Sequence, residues 1–410
     1  MFQGRLIGLL LGACVVASPA NAQERSGPIY EITFAQTLEL ARRQSPGAAT
    51  ARARVTEAEG QAEAAALWPF NPEVEAAAGP RFDHGGSTAD WSVAARQWLE
   101  VGGQRGRRVA GAKAAIEAAS ARRENSERLL LRESGLAFVE ILYWQRRAAL
   151  ARENRQIAEQ IARTARRRHE VGDAGGLDEA VSALTLARAQ TDEVRTEVEH
   201  GQAIGRLKIV LGLESDAQII ARGDLLDLGV SRGEAAAEIE ERPDVRALKG
   251  ASRQAEAEAA LGRAARIPDV ALGALYAREE DADIVQAALT LALPVFDHGQ
   301  GTVAVAESRR ARIETELDAT RRRAAIEIET ADTTARRLET AVHGFEEDAL
   351  ATIERTERIA TASYEAGAIP LGELLVVRRE IVEAKLDYAN LLFSAAAARV
   401  ELAASTGGLR

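Results

Sequence analysis

The run Pro268-Asp269-Val270-Ala271-Leu272-Gly273-Ala274-Leu275-Tyr276-Ala277 decides the architecture. Val270, Leu272, Ala274 and Tyr276 recur at every second position, the period of a strand with two unlike faces. Glu279 to Asp283 reads as an acidic turn. Ile284 to Phe296 then returns, with Leu289, Leu291, Leu293 and Val295 on one face and Ala288, Thr290 and Ala292 on the other. Asp297-His298-Gly299 ends the hairpin. Each arm has about ten residues, the length that a tilted strand needs to cross a bilayer.

The same pattern occurs earlier in the chain. Glu73 to Phe82 alternates, Asp83-His84-Gly85-Gly86-Ser87 is turn chemistry, and Trp91 to Val101 returns before Gly102-Gly103. Five landmarks pair the two halves: Pro46 with Pro243, Pro72 with Pro268, Gly103 with Gly299, Gly172 with Gly367 and Gly212 with Gly407. All five are separated by 195 to 197 residues. Constant order and spacing point to an internal duplication, with a first repeat over 23–215 and a second over 216–410. The membrane hairpins fall at about 72–101 and 268–296.

The remaining text is helical. Thr33 to Leu67 reads as one helix with Thr33 as N-cap and Gln36 three residues on. Gln104 to Glu170 is 67 residues without proline, roughly 100 Å of helix at 1.5 Å per residue. Gln300 to Ala366 repeats that length, with an Ala-rich seam through Leu317, Ala324, Ile328, Ala335 and Val342. Leu374, Ile381, Tyr388, Ala395 and Leu402 hold a heptad, and the Arg and Glu residues between them read as a solvated face. Gly172 to Gly176 and Gly367 to Gly372 break the coils, so each half carries a long helical hairpin with a glycine-containing tip.

Residues 1–22 read as a signal peptide: Arg5, an apolar run from Leu6 to Ala17, and a small-x-small cleavage pattern at Ala20-Asn21-Ala22. A competing reading takes Leu11-Gly12-Ala13-Cys14 as a lipoprotein box with Cys14 lipidated. Export points to a bacterial periplasm or outer membrane. The 410 residues carry a net charge of -10, which argues against nucleic acid, and a single cysteine, which excludes a disulfide framework. His169 and His298 have no second His or Cys at ligand spacing, so no metal site or cofactor is expected. The chain also lacks a phosphate loop and a nucleophile elbow, so enzymatic catalysis is not expected.

Two hairpins make four strands, and an open sheet edge in lipid leaves backbone groups unsatisfied. Small closed membrane barrels start at about eight strands. The chain is therefore expected to share a barrel between copies, with eight strands from two or twelve from three. The soluble alternative packs the hairpins against helices. Trp91 and Trp98 suit a membrane-interface belt by position along their strand. They lie an odd number of residues apart, so without a bulge at most one anchors at the lipid interface and the other is left to face the lumen.

Export signal, repeated halves, one hairpin per half and long coils together resemble the TolC-type outer-membrane efflux ducts. The resemblance spans nearly the whole chain beyond residue 22. It is carried by Asn71-Pro72-Glu73-Val74-Glu75, Val101-Gly102-Gly103-Gln104-Arg105, Arg242-Pro243-Asp244-Val245, Ile267-Pro268-Asp269-Val270, Leu293-Pro294-Val295-Phe296-Asp297 and Tyr364-Glu365-Ala366-Gly367. Leu99 to Arg105 is similar to the branch that serves heavy-metal pumps of the cobalt–zinc–cadmium kind. The resemblance implies a mainly α fold with a small β part, in which a homotrimer joins a twelve-stranded barrel in outer-membrane lipid to a periplasmic tunnel. It also implies docking to a periplasmic adaptor bound to an inner-membrane pump of the resistance-nodulation-division type. Val171, Gly172, Ala366 and Gly367 match the family's docking tips, and they equally suit plain helix C-caps. Asp178 and Glu373 fall where the family places acidic residues at the constriction, and they equally suit helix N-termini. Val376 stands where the family carries a further acid. The function so implied is passive export, with protein secretion through the same kind of duct, or a non-transporting coiled-coil scaffold, as alternatives.

Overall fold

A computed structural model describes residues 27–83, 86–230, 239–280 and 282–409. The export segment 1–22 with Cys14, and His84 and Gly85 of the first turn, lie outside the described residues. In chain order the elements are β1 (Ile29–Ile32), α1 (Phe34–Gln44), α2 (Pro46–Ala66), β2 (Glu73–Asp83), β3 (Gly86–Leu99), α3 (Gln104–Glu170), α4 (Gly176–Leu211), β4 (Gln218–Ala221), α5 (Pro243–Ala264), β5 (Val270–Glu279), β6 (Ala282–Leu291), α6 (Gln300–Asp348), α7 (Leu350–Glu365) and α8 (Leu371–Thr406).

The helix expected over Thr33 to Leu67 is two helices. Thr33 and Gln36 cap α1 reciprocally: the Gln36 amide oxygen accepts from the Thr33 N–H at 2.8 Å and the Thr33 hydroxyl accepts from the Gln36 N–H at 3.4 Å. The helix stops at Ser45 because the residue before a proline is driven out of the α region, and Ser45 sits at φ -58, ψ 134. Its hydroxyl then accepts from the Gly47 N–H at 3.2 Å and starts α2 with Pro46 in the first turn. Arg242-Pro243 opens α5 with the same backbone turn (φ -60, ψ 135) and first-turn proline, without a side-chain cap.

Helix α3 runs unbroken for 67 residues and packs along α4, the first coil. The second coil departs from its expected continuity. At Ala349 (φ -102, ψ -37) the long helix is interrupted between α6 and α7, although the backbone bonds Ala349 N–H to Phe345 and Ile353 N–H to Ala349 bridge the irregularity. Just before it, Phe345 stacks on Tyr388 at 5.0 Å. Burial and a hydrogen bond to Glu346 push the Tyr388 phenol up to about 12.

The five heptad residues from Leu374 to Leu402 are all buried. Not all of the charges between them are solvated, however. The Arg378 side chain is 8% exposed and pairs with Glu357 of α7 at 2.5 Å. Lys385 bridges that carboxylate at 2.8 Å and Glu153 of α3 at 2.9 Å, tying the two coils together. A heptad pattern marks the apolar seam but does not reveal which flanking charges a third helix covers.

The main core lies at mid-length. A short parallel pair, β1 with β4 in register Ile29↔Gln218 to Ile32↔Ala221, lays the start of the second half beside the start of the first. Four-residue strands are too short to register in the hydrophobic period. Phe34 meets Phe138 edge-on at 5.9 Å, and Ile141, Leu207, Leu211, Ile219, Leu392 and Val400 fill the same cluster. At the far end, β2, β3, β5 and β6 form one antiparallel sheet in that order. The strands run further into their turns than expected: Asp83 pairs with Gly86, and Glu279 with Ala282. The last strand is shorter than expected, ending at Leu291 instead of Phe296, because Pro294 has no N–H to continue a ladder.

Left-handed glycines occur at corresponding places in both halves: Gly103 and Gly299, Gly172 and Gly367, Gly212 and Gly407. At Gly299 (φ +84) a Cβ would stand 2.0 Å from the Gly262 carbonyl oxygen, whereas at Gly172 (φ +78) it would meet open space. Gly172→Ala should therefore cost only the left-handed penalty of about 1–2 kcal/mol. Gly299→Ala should cost clearly more, and thermal midpoints of the two purified variants compare them. The Glu357 carboxyl is opposed by burial but held below its ordinary value by Lys385 and Arg378. A depressed carboxyl stabilises above its unfolded pKa, and that gain is lost as pH falls through the folded value. Glu357→Gln should lose about 2 kcal/mol at neutral pH. The gap to the unsubstituted protein should narrow below the usual carboxylate range, as read by thermal melts across pH.

Candidate functional site: a two-faced sheet and the coil tips

The register assigns every sheet residue to a face. Val74, Ala76, Ala78, Pro80 and Phe82 of β2 stand opposite Ala95, Val93, Trp91, Ala89 and Ser87 of β3. That row continues through Leu272, Ala274 and Tyr276 of β5 to Leu289, Ala287 and Val285 of β6. Val74, Phe82, Trp91, Val93, Leu272, Val285, Leu289 and Leu291 are all exposed large apolar side chains, and all lie on this one face. The charges of this face, Arg278 and Asp283, sit at its turn end, where the Tyr276 hydroxyl donates to Asp283 at 2.7 Å.

The opposite face carries Glu73, Glu75, Arg81, Asp90 and Arg96 among small residues. Arg81 reaches Asp90 at 2.7 Å, Glu280 at 2.8 Å and Glu279 at 3.1 Å, so one cation lies among three carboxylates near the turns. One face is thus built for an apolar solvent and the other for water.

The pairing of β3 with β5 runs from Trp91↔Arg278 to Leu99↔Val270 without a skipped residue, so no bulge reverses the alternation. Trp91 lies on the apolar face against Tyr276, ring centroids 5.2 Å apart. Trp98 lies on the polar face, 6.3 Å from Phe70. Aromatic content alone did not separate the two tryptophans; parity and register did. The outer sides of β2 and β6 are the edges of the sheet. No described helix is long and apolar enough to cross a membrane.

The tips lie at the other end of the coils. Val171 is exposed, and Gly172 takes φ 78 so that its N–H bonds the His169 carbonyl at 3.0 Å and the Asp173 N–H bonds that of Arg168 at 2.7 Å. Gly367 does the same for α7: its N–H meets the Tyr364 carbonyl at 3.0 Å, and the Ala368 N–H meets Ser363 at 2.8 Å. Ala366 and Gly367 are exposed. Asp178 lies in the first turn of α4 and is half-buried, while Glu373 lies in the first turn of α8 and is exposed.

Sequence reasoning missed the pair that joins the tips. The Arg168 guanidinium lies 4.8 Å from the Tyr364 ring centroid and donates to the Tyr364 and Glu365 carbonyls at 3.1 and 3.4 Å, capping α7 from the neighbouring coil. Burial holds the Tyr364 phenol above its ordinary value, against the lowering charge of Arg168. Arg168 stands in an Arg-Arg-Arg-His run that reads as ordinary helix-terminal charge, and only the partner coil distinguishes it.

His169 bonds the Ala174 carbonyl through Nδ1 at 3.1 Å. Among the described residues no group of three or more His, Cys, Asp or Glu side chains is placed to hold a metal ion.

Similarity to known proteins agrees with this geometry. The chain is 28% identical over 316 residues to the nickel-cobalt-cadmium resistance protein NccC of Alcaligenes xylosoxydans xylosoxydans, covering 75% of this chain and 70% of that protein. It is 24% identical over 380 residues to the cobalt-zinc-cadmium resistance protein CzcC of Cupriavidus metallidurans, covering 91% and 89%. Among solved structures, CusC superposes with a TM-score of 0.78 at 17% identity, covering 93% of this chain and 94% of that one. The outer membrane protein VceC of Vibrio cholerae superposes with a TM-score of 0.75 at 18% identity, covering 92% and 96%. The profile of the outer membrane efflux proteins matches residues 37–213 and 236–408, so the chain belongs to the outer membrane efflux protein family and is an outer-membrane efflux channel.

Proposed function

We propose that the chain works as a homotrimer whose three sheets close into one twelve-stranded barrel, and that the conduit carries heavy-metal cations out of the periplasm. The observation that carries this reading is the sheet: eight exposed large apolar side chains share one face, and its edge strands β2 and β6 are paired on one side only. Lipid cannot satisfy those edges, so closure by neighbouring copies is the physical remedy. Leu177, Val181, Leu184, Val194 and Val198 are exposed along α4, a stripe suited to a neighbouring copy's coil. The paired left-handed glycines support reading 23–215 and 216–410 as repeats of one unit.

Cargo is argued from the relatives, since NccC and CzcC are named for nickel, cobalt, zinc and cadmium resistance. Members of the family export in company with an adaptor and an inner-membrane pump. For this chain we assign a pump of the resistance-nodulation-division type, with the adaptor meeting Val171, Gly172, Ala366 and Gly367 at the tips. Asp178 and Glu373 are assigned to the constriction, where three-fold symmetry turns each acid into a ring that favours cations. The barrel supplies a hole and the coils a sealed path, and no bond is broken.

Val93 and Ala94 are neighbours on opposite faces of β3. Val93→Arg puts a charge in lipid at a cost of about 2–4 kcal/mol and should abolish the heat-modifiable trimer in outer-membrane fractions. Ala94→Arg should leave the trimer intact. The reverse pattern overturns the barrel. For the constriction, Glu373→Ala should lower the cation-to-anion permeability ratio in planar bilayers, read from reversal potentials in asymmetric salt. An unchanged ratio removes Glu373 from the ring.

A further inference from the structure

The foot of the sheet, where β3 passes into α3, holds a set of oxygens that no described group satisfies. The last pair of the β3–β5 ladder is Leu99↔Val270. One step further along the same register places Glu100 opposite Asp269, on the polar face shared by Trp98 and Ala271. Carboxylates directly opposite on adjacent strands stand about 5 Å apart at Cβ, and like charges so placed destabilise the pair. Glu100 is nevertheless buried, its side chain 8% exposed. One of its oxygens, Oε1, pairs with Arg108, and the other, Oε2, is buried with no hydrogen-bond partner.

Gln104 completes the set. It is 8% exposed, its Nε2 donates to the Asp269 carboxylate at 2.9 Å, and its own Oε1 is buried without a partner. Gly102 makes this placement possible. A Cβ there would come within 2.9 Å of the Gln104 Oε1 and 3.0 Å of the Ile267 Cβ.

The corresponding loop of the second half is an internal control. Gln300 also begins its helix, but its Oε1 accepts from the His298 N–H at 2.9 Å and its Nε2 donates to the Phe296 carbonyl at 3.0 Å. Phe296 stands there in the place of Glu100. The second loop satisfies its glutamine from its own backbone. The first turns its glutamine onto a carboxylate and leaves two acceptors with no donor. Buried acceptors of this kind are costly unless something positive or proton-bearing joins them. Two carboxylates against the single Arg108 guanidinium leave one negative charge, which favours a cation over a neutral water.

We propose that Glu100 Oε2, Gln104 Oε1 and the Asp269 carboxylate bind a divalent cation at the junction of sheet and coil. The donors are all oxygen, without imidazole or thiolate. That set suits a hard or borderline ion that completes its octahedron with water, and it disfavours soft monovalent copper. The site fastens the end of β3 to the start of β5 below the ladder, and it lies on the same face as the charged wall of the sheet. It stands on the register and the unpaired oxygens, independently of the barrel and of the cargo.

The test uses the full chain purified from membranes in detergent, stripped with a chelator and titrated with Co²⁺ alone by calorimetry, with metal analysis after dialysis. The unsubstituted protein should retain about one Co²⁺ per chain. Glu100→Gln should weaken binding at least about tenfold. Glu354→Gln, an exposed acid on α7 far from the sheet, should leave it unchanged. Should Glu100→Gln fail to assemble, Asp269→Asn replaces it, because the Asn carbonyl still accepts from Gln104. Three results would overturn the site: no Co²⁺ on the unsubstituted protein, which leaves water as the occupant; undiminished binding in an assembled Glu100 or Asp269 variant; or loss of binding in the Glu354 variant instead. Conductance of the same stripped preparation separates a failed metal site from a failed channel.

Discussion

Backbone hydrogen bonding along the outer sides of β2 and β6 has no partner within the sheet, and hydrocarbon offers none. Most of the architecture follows from that constraint. A soluble sheet blunts its edges with charge, proline or a covering helix. Here the edge strands instead carry Val74, Phe82, Val285, Leu289 and Leu291 outward on one face, so covering them with water would be costly. In the proposed trimer each copy completes the next, and assembly and membrane insertion become one requirement. The polar face then lines the passage, with Arg81 among its carboxylates near the turns.

The sheet and the coils are one continuous path. Strand β3 reaches α3 through Gly102-Gly103, and the segment after β6 reaches α6 through Asp297-His298-Gly299. Each passage turns on a left-handed glycine, Gly103 and Gly299, because the chain must change from extended to helical within a few residues. At mid-length the β1–β4 pair and the Phe34–Phe138 cluster clamp the long helices, adding a hub to the packing of α3 along its neighbouring helices. Alanine at Ala118, Ala324 and Ala396, each fully buried, lets the coils approach closely along the rest of their length.

Charge is used differently in different places. Most ion pairs lie on exposed helix faces, where such contacts contribute little. The Arg378–Glu357–Lys385–Glu153 chain differs because Arg378 is buried and Lys385 spans two coils. It holds α7 just beyond the irregularity at Ala349, while Arg168 holds the far end of α7 through its last carbonyls. Helix α7 is therefore fastened by polar groups at points where its apolar seam is short, only Ile353, Ala360 and Tyr364 being buried.

How much of this was legible in one dimension depended on the range of the forces involved. The 67-residue helix, the cap at Thr33, the heptad from Leu374 to Leu402 and the alternation of Val270 to Tyr276 were readable because each rests on neighbours within a few residues. So was the family, through motifs whose spacing survives in both halves. The break at Ser45 is also local, but the apolar period continues across Pro46 and only the backbone stops, so periodicity alone does not mark it. Tertiary structure alone decided that Trp91 faces the apolar side and Trp98 the polar one, that Arg378 is buried, and that Arg168 reaches Tyr364. It alone placed Glu100 across from Asp269, 169 positions away in the chain. Periodicity reports which residues share a face; which face meets water, lipid or another helix is settled by what packs against it, and those partners lie hundreds of residues apart or in another copy.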